Sequence, residues 1–124
     1  MGIQETELRV QRIMTDKFIQ ADSVEVTLYR STRSADGAGG YTDASPAPLP
    51  PQVMRLIPLR DGAEEQLTAD GQKVRPTYML MGRHDADMQR WDTFTTEDGT
   101  RYEVVFVNAN RQYEVKGEVA YRGS

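Results

Sequence analysis

The sequence predicts a mainly β domain with one helix, and three observations carry that prediction. Apolar residues recur with a period near 3.6 over roughly residues 4–20, and the period then switches to 2. Short alternating runs separated by Gly, Pro, Asn and Asp fill the rest of the chain. No second helical pattern joins these runs, so the crossover helices that parallel strands require are missing. The expected fold class is α+β, mainly β: a small antiparallel β-barrel or sandwich of about six strands, with an N-terminal helix and a long loop. The 124 residues suit a single domain, 1–124. Within it lie an N-terminal helix segment (1–22), a long flexible loop (33–50) and a C-terminal β-meander (91–122).

The helix is predicted from Val10, Ile13, Met14 and Phe18, whose spacings of three and four set them on one face. Glu5 and Glu7 in the first turn and Lys17 near the last suit the helix dipole. That stripe either packs on the rest of the domain or offers itself to a neighbouring subunit. Asp22-Ser23 ends the helix, and Val24, Val26 and Leu28 alternate with polar residues in a strand running to about Thr32.

Residues 33–50 change character, with Asp36-Gly37-Ala38-Gly39-Gly40 followed by Pro46, Pro48, Pro50 and Pro51. This reads as a long irregular loop, flexible first and proline-stiffened after, of the length that usually carries function. A second strand covers Gln52 to Arg60, where Pro58 marks an edge or a strand end. Residues 61–73 are a polar connection with room for a helical turn at Ala63–Leu67, and Thr77 to Gly82 is a third strand. A strand from Trp91 to Thr96, the Asp98-Gly99 turn favoured in two-residue hairpins, and Arg101 to Val107 follow. On the last strand Tyr113, Val115, Gly117, Val119 and Tyr121 alternate with Gln112, Glu114, Lys116 and Glu118, which closes the meander.

Composition excludes several function classes. A net charge of −4 and scattered Lys and Arg argue against a protein held on nucleic acid by phosphate neutralisation. With no cysteine, disulfides and thiolate metal sites are ruled out. No apolar run reaches the roughly 20 residues of a membrane helix, and the N-terminus lacks a secretory pattern, so a soluble, non-membrane protein is expected. His84, with Asp85 and Asp87 close in sequence, has no second histidine to complete a metal set and reads as a solvated turn. Nucleophile elbows and phosphate loops are absent, so no catalytic, cofactor-binding or metal-binding residues are assigned and no enzyme is expected. Tyr102, Phe106, Tyr113 and Tyr121 could stack bases on a barrel face, but their place on the apolar side of each strand assigns them to the core.

Three stretches together resemble the head-to-tail stopper (head-closure) family of siphophages. They are Phe18 to Leu28, where the helix runs into a strand; Asp36-Gly37-Ala38-Gly39-Gly40-Tyr41 leading to Leu49-Pro50-Pro51-Gln52-Val53-Met54-Arg55-Leu56-Ile57-Pro58; and Gly99 to Val104 with the final strand. The likeness covers nearly the whole chain and lies in order and flavour, with no sharp motif. It implies a non-enzymatic virion protein of the neck, assembled in the host cytoplasm as a dodecameric homo-oligomeric ring. Its implied partners are portal and adaptor proteins above, tail terminator or tail tube proteins below, and packaged double-stranded DNA in the channel, bound without sequence specificity. It also implies that residues 33–50, with Arg33, Asp36, Gly37, Gly39, Gly40 and Tyr41, line the channel, the connection 61–75 being the competing segment. Val10, Ile13, Met14 and Phe18 are the candidate subunit interface. A tail terminator or adaptor is the alternative within that class. A monomeric β-barrel module binding oligonucleotide or peptide is the alternative outside it.

Overall fold

In the computed structural model, residues 5–31, 33–35, 41–43, 46–60 and 63–123 are described, the side chains of 33–35 and 41–43 excepted. Helix α1 spans Glu5–Ala21 and is followed, among the described residues, by twelve strands. These are β1 (Val24–Val26), β2 (Tyr29–Arg30), β3 (Arg33–Ala35), β4 (Tyr41–Asp43), β5 (Ala47–Pro48), β6 (Gln52–Pro58), β7 (Gln66–Leu67), β8 (Lys73–Val74), β9 (Tyr78–Arg83), β10 (Thr93–Thr95), β11 (Arg101–Asn108) and β12 (Glu114–Gly123). Eight of them form one antiparallel sheet in the order β1-β6-β9-β12-β11-β10-β2-β5, and the pairs β3–β4 and β7–β8 stand as separate two-stranded sheets.

That order forces the sheet to curl. β1 and β2 are separated in the sheet by five strands, yet only Thr27 and Leu28 join them along the chain. A flat sheet would hold them roughly 29 Å apart at the usual strand spacing. The chain from Val26 to Tyr29 reaches at most about 10 Å. The result is an open, strongly curled half-barrel, which is a barrel-like rather than a sandwich solution of the expected fold.

The concave side holds the core. Val26, Leu28, Met54, Leu80, Met88, Phe94, Val104, Val115 and Val119 form one buried cluster. Tyr102 packs against it, stacked on Phe94 with centroids 5.4 Å apart and edge-on to Tyr78 at 5.7 Å. The convex side is partly covered by two outer elements. Helix α1 lies over β6 and β9, burying Thr15 and Ile19, with Arg83 Nε 2.9 Å from Asp16 Oδ1 and Arg12 Nε donating to the Gln112 carbonyl at 3.0 Å. The β7–β8 hairpin lies by β11, where the Ala69 amide donates to Glu103 Oε2 at 2.8 Å.

Several expectations are corrected by this architecture. The strand expected from Val24 to Thr32 is broken into β1 and β2 at the corner where the chain changes ends of the sheet, and Val24 is exposed. Residues 33–50 are not one irregular loop. β2 and β5 pair as a hairpin base (Arg30↔Ala47), and β3 and β4 continue it with a one-residue change of register (Arg33↔Asp43). The helical turn expected at Ala63–Leu67 gives way to β7, since Gln66 and Leu67 find strand partners in Val74 and Lys73. Pro58, by contrast, marks the strand end expected of it: β6 closes there, paired with Tyr78 of β9, and β1 has already stopped short of it.

The turn after Thr95 connects three residues, not two. Thr96 N donates to the Thr100 carbonyl at 2.9 Å, Gly99 N to the Thr96 carbonyl at 3.0 Å, and Gly99 sits at φ 88°. Thr68-Ala69-Asp70-Gly71 repeats the same Thr-x-Asp-Gly sequence and the same bonds, with Gly71 at φ 85°. In both turns the Asp carboxylate accepts from the threonine hydroxyl (Thr68 to Asp70, Thr96 to Asp98). A single left-handed glycine after a tight turn is the three-residue hairpin solution.

Alternation also fails at three places in the meander. A bulge lies between Val104 and Phe106, so Val104 and Val105 are both buried and Phe106 is turned outward. Tyr121 is 56% exposed because β9 pairs with β12 only as far as Val119, leaving the end of β12 flanked by β11 alone. Glu114, expected on a solvated face, is buried beside Lys116 Nζ at 3.2 Å.

The turn from β9 folds back over the concave side, and two glycines admit it. A Cβ on Gly82 would stand 2.6 Å from the Cβ of Ala86, and one on Gly117 would meet Met88 Sδ and Val104. Gly82→Ala should therefore destabilise the fold by about 1–3 kcal/mol, the usual cost of overpacking. Leu80→Ala should cost about 2–5 kcal/mol by opening a cavity. Urea denaturation checks both.

The threonine hydroxyls hold the Asp70 and Asp98 carboxyls below the ordinary carboxylate range. Their folded pKa values are depressed, so their contribution is fully present above about pH 4 and is lost as pH falls through the folded values. Melts of Asp70→Asn/Asp98→Asn should show a smaller loss of stability below pH 4 than the parent shows.

Candidate functional site

The expected subunit-interface residues occupy the free face of α1. Val10, Ile13, Met14 and Phe18 are 43–64% exposed, while the opposite face of the helix, through Thr15 and Ile19, is packed on the sheet. The helix is thus anchored by residues the apolar spacing did not single out. Phe18 is engaged from within the chain: the Arg55 guanidinium lies 4.0 Å above its ring and donates to its carbonyl oxygen at 2.9 Å. Val53, on the same face of β6 as Arg55, is also exposed.

Of the expected channel-loop residues, Arg33 and Tyr41 begin β3 and β4, pairing with Asp43 and Ala35. Asp36, Gly37, Gly39 and Gly40 lie outside the described residues. The β3–β4 ribbon pairs with no strand of the eight-stranded sheet. The competing connection is tied down instead. Arg122 donates to Gln72 Oε1 at 2.9 Å and to Asp70 Oδ2 at 3.1 Å, and lies 3.7 Å from the buried Glu103. Arg75 donates to the Ala63 carbonyl at 2.9 Å.

His84 sits half-buried in the turn that follows β9, closed by the Ala86 amide donating to the Arg83 carbonyl at 3.1 Å. Its neighbour in sequence, Asp87, is engaged elsewhere. Arg30 Nη2 donates to Asp87 Oδ1 at 2.9 Å, and the Gln52 amide clamps the Asp87 backbone with bonds of 3.0 and 2.8 Å. Among the described residues no group of three or more His, Asp or Glu side chains is placed to hold a metal ion. No helix among them is long and apolar enough to cross a membrane.

One charged constellation escaped the sequence reading. Asp92, 1% exposed, receives Arg30 Nε on Oδ1 at 3.0 Å and Arg30 Nη2 on Oδ2 at 2.8 Å, a two-pronged pair. Oδ2 also accepts from the Gln89 amide at 2.8 Å. The bonds to Asp92 and Asp87 outweigh burial and raise the Arg30 pKa, so the guanidinium stays charged at every accessible pH. Trp91, beside Asp92, holds a left-handed backbone at φ 77°, unusual for a bulky residue. Its indole donates to the Leu67 carbonyl at 3.3 Å, and Arg90 lies 5.0 Å from the ring centroid. The arrangement joins β2, the turn before β10 and the β7–β8 hairpin. It has the character of a structural clamp, because the cation's hydrogen bonds go to protein carboxylates. The sequence carried no signal for it: Arg30 and Asp92 stand 62 positions apart.

A second feature is a cleft of about 600 Å3 between β1 and the end of β10, lined by residues 23–26, Leu56 and 94–98. It lies at the seam where the half-barrel stays open.

Arg30→Met should cost about 3–5 kcal/mol, because it strands a buried carboxylate. Asp87→Asn, at the exposed end of the network, should cost under about 1 kcal/mol. Chemical denaturation of the two variants measures the contrast. In comparisons with known proteins, no family model matches the chain and no curated protein matches its sequence.

Proposed function

We propose that the chain is a structural subunit of a bacteriophage neck, of the head-to-tail stopper kind. It assembles as a homo-oligomeric ring that closes the DNA channel below portal and adaptor, and it offers a docking surface to the tail. The observation that carries this reading is α1. A helix held to its own sheet by one face, with four apolar side chains exposed on the other, is suited to burying that face against a neighbouring subunit.

Three further features support the reading. The ribbon of β3 and β4 extends a hairpin whose base alone belongs to the main sheet, so it can change position without breaking the ladder that holds the core. The segment 63–75 is bonded to Glu103 and Arg122, which favours 33–50 as the moving part. A net charge of −4 suits a passage through which DNA slides without sticking.

Ile13→Asp/Met14→Lys should leave the melt of the isolated chain within about 0.5 kcal/mol of the parent, since both side chains are exposed. The same variant should fail to join a purified portal–adaptor complex viewed by electron microscopy. Replacing residues 31–46 with Asn-Gly, a two-residue hairpin link across Arg30 and Ala47, should keep folding and ring entry while particles lose packaged DNA. A parent chain that never joins the connector, together with particles that retain DNA and bind tails without it, defeats the proposal.

A further inference from the structure

We propose that the open seam of the half-barrel binds an extended basic peptide segment of a partner protein, which adds as a strand to the free edge of β1. This inference does not rest on the phage reading.

Three observations meet there. Among the described residues, β1 is the terminal strand of the sheet and pairs on one side only, with β6 (Val24↔Met54 to Val26↔Gln52). Facing it across the seam, β10 is paired to β2 at Thr93 alone, so residues 94–96 have no strand on that side among the described residues. The cleft between them, about 600 Å3, has the size of a ligand pocket. Val24, which is exposed, and the half-buried Leu56 supply apolar surface to it, alongside the buried Val26 and Phe94.

An unpaired strand edge offers a row of backbone donors and acceptors, which peptide segments use by strand addition. Proteins blunt such edges with proline, lysine, bulges, charge or a very short strand; β1 carries no proline, lysine or bulge, and its three residues leave Glu25 as the charge that an incoming strand must match. Charge selects the occupant. Glu25, Glu97 and Asp98 line the cleft and are exposed, and among the described residues no Lys or Arg lines it. A strand alternating basic and apolar side chains would place cations among these carboxylates and apolar groups over Phe94 and Val26. A second copy fits worse: antiparallel pairing of two β1 edges centred on Glu25 sets like charges opposite each other.

The probe is a dye-labelled, end-capped nonapeptide of alternating Lys and Val, titrated into the full-length chain by fluorescence anisotropy. Its acidic counterpart, with Glu for Lys, is the control. The Lys-Val peptide should bind, weaken with salt, and protect amides of residues 23–26 and 94–96 from hydrogen exchange. The acidic peptide should not bind. Glu25→Gln/Glu97→Gln, with an unchanged melt, should weaken binding about tenfold. If that double variant does not fold, the salt dependence and the exchange footprint of the parent decide the matter. Absence of binding, equal binding of both peptides, or a footprint elsewhere overturns the proposal. Protection of 23–26 that grows with chain concentration alone also overturns it, and assigns the seam to a second copy.

Discussion

Two residues, Thr27 and Leu28, tie the first strand of an eight-stranded sheet to the seventh, and the rest of the structure follows from that tether. Leu28 is fully buried, and its carbonyl accepts the Leu49 amide at 2.8 Å, so the corner is fixed both by packing and by a backbone bond. Curling turns one face of every central strand inward, which lets a chain of this length enclose a core without a second sheet to pack on. Bending also has a cost in regularity. The bulge at Val105 sits in the long meander, where a curved sheet needs extra twist, and it redistributes which side chains are buried.

A curled sheet with few residues leaves gaps, and two devices fill the concave side. The turn between β9 and β10 lays Met88 and Ala86 over glycines at 117 and 82, where any side chain would collide. The same turn ends at Asp92, whose buried carboxylate is neutralised by Arg30 from β2, on the strand next to β10. An ion pair of this kind adds little net stability against an apolar replacement, but losing one partner is costly. It therefore acts as a registration device: β2 cannot shift along β10 without stranding a charge.

The convex side carries the outer elements. Helix α1 covers β6 and β9 and presents a second, apolar face outward; the β7–β8 hairpin covers β11 and is stitched by Arg122 and Glu103. The inner and outer faces of the helix differ in kind. The packed side includes a threonine, an ion-paired aspartate and one isoleucine, while the larger apolar groups are exposed. The outer glutamates are not all equivalent either. Burial, and Glu64 close by, push the Glu118 carboxyl up, marking a region where further negative charge is unfavourable. Together these features give a rigid frame with an apolar helix face, an acid-lined seam and a two-stranded ribbon set apart from its main ladder.

Much of this was legible in the linear chain because it depends on neighbours in sequence. The helix at 5–21, the order of the meander, the end of β6 at Pro58 and the mainly β class all follow from local period and turn chemistry. The Thr-x-Asp-Gly turns were readable as turns, though their three-residue geometry depends on which residue takes the left-handed angle. What tertiary structure alone decided is which face each element buries. Helical spacing grouped Val10, Ile13, Met14 and Phe18, but the sheet took the opposite face, which buries Thr15 and Ile19 and also brings Asp16 to Arg83 and Arg12 to the Gln112 carbonyl. Alternation placed Phe106 inward until one bulged residue reversed it, and Tyr121 inward until the neighbouring strand ended. The Arg30–Asp92 clamp and the seam belong to closure, which joins segments far apart in sequence. Periodicity reports only what a residue's near neighbours do, so it defines the elements and cannot define the surfaces that those elements bury in one another.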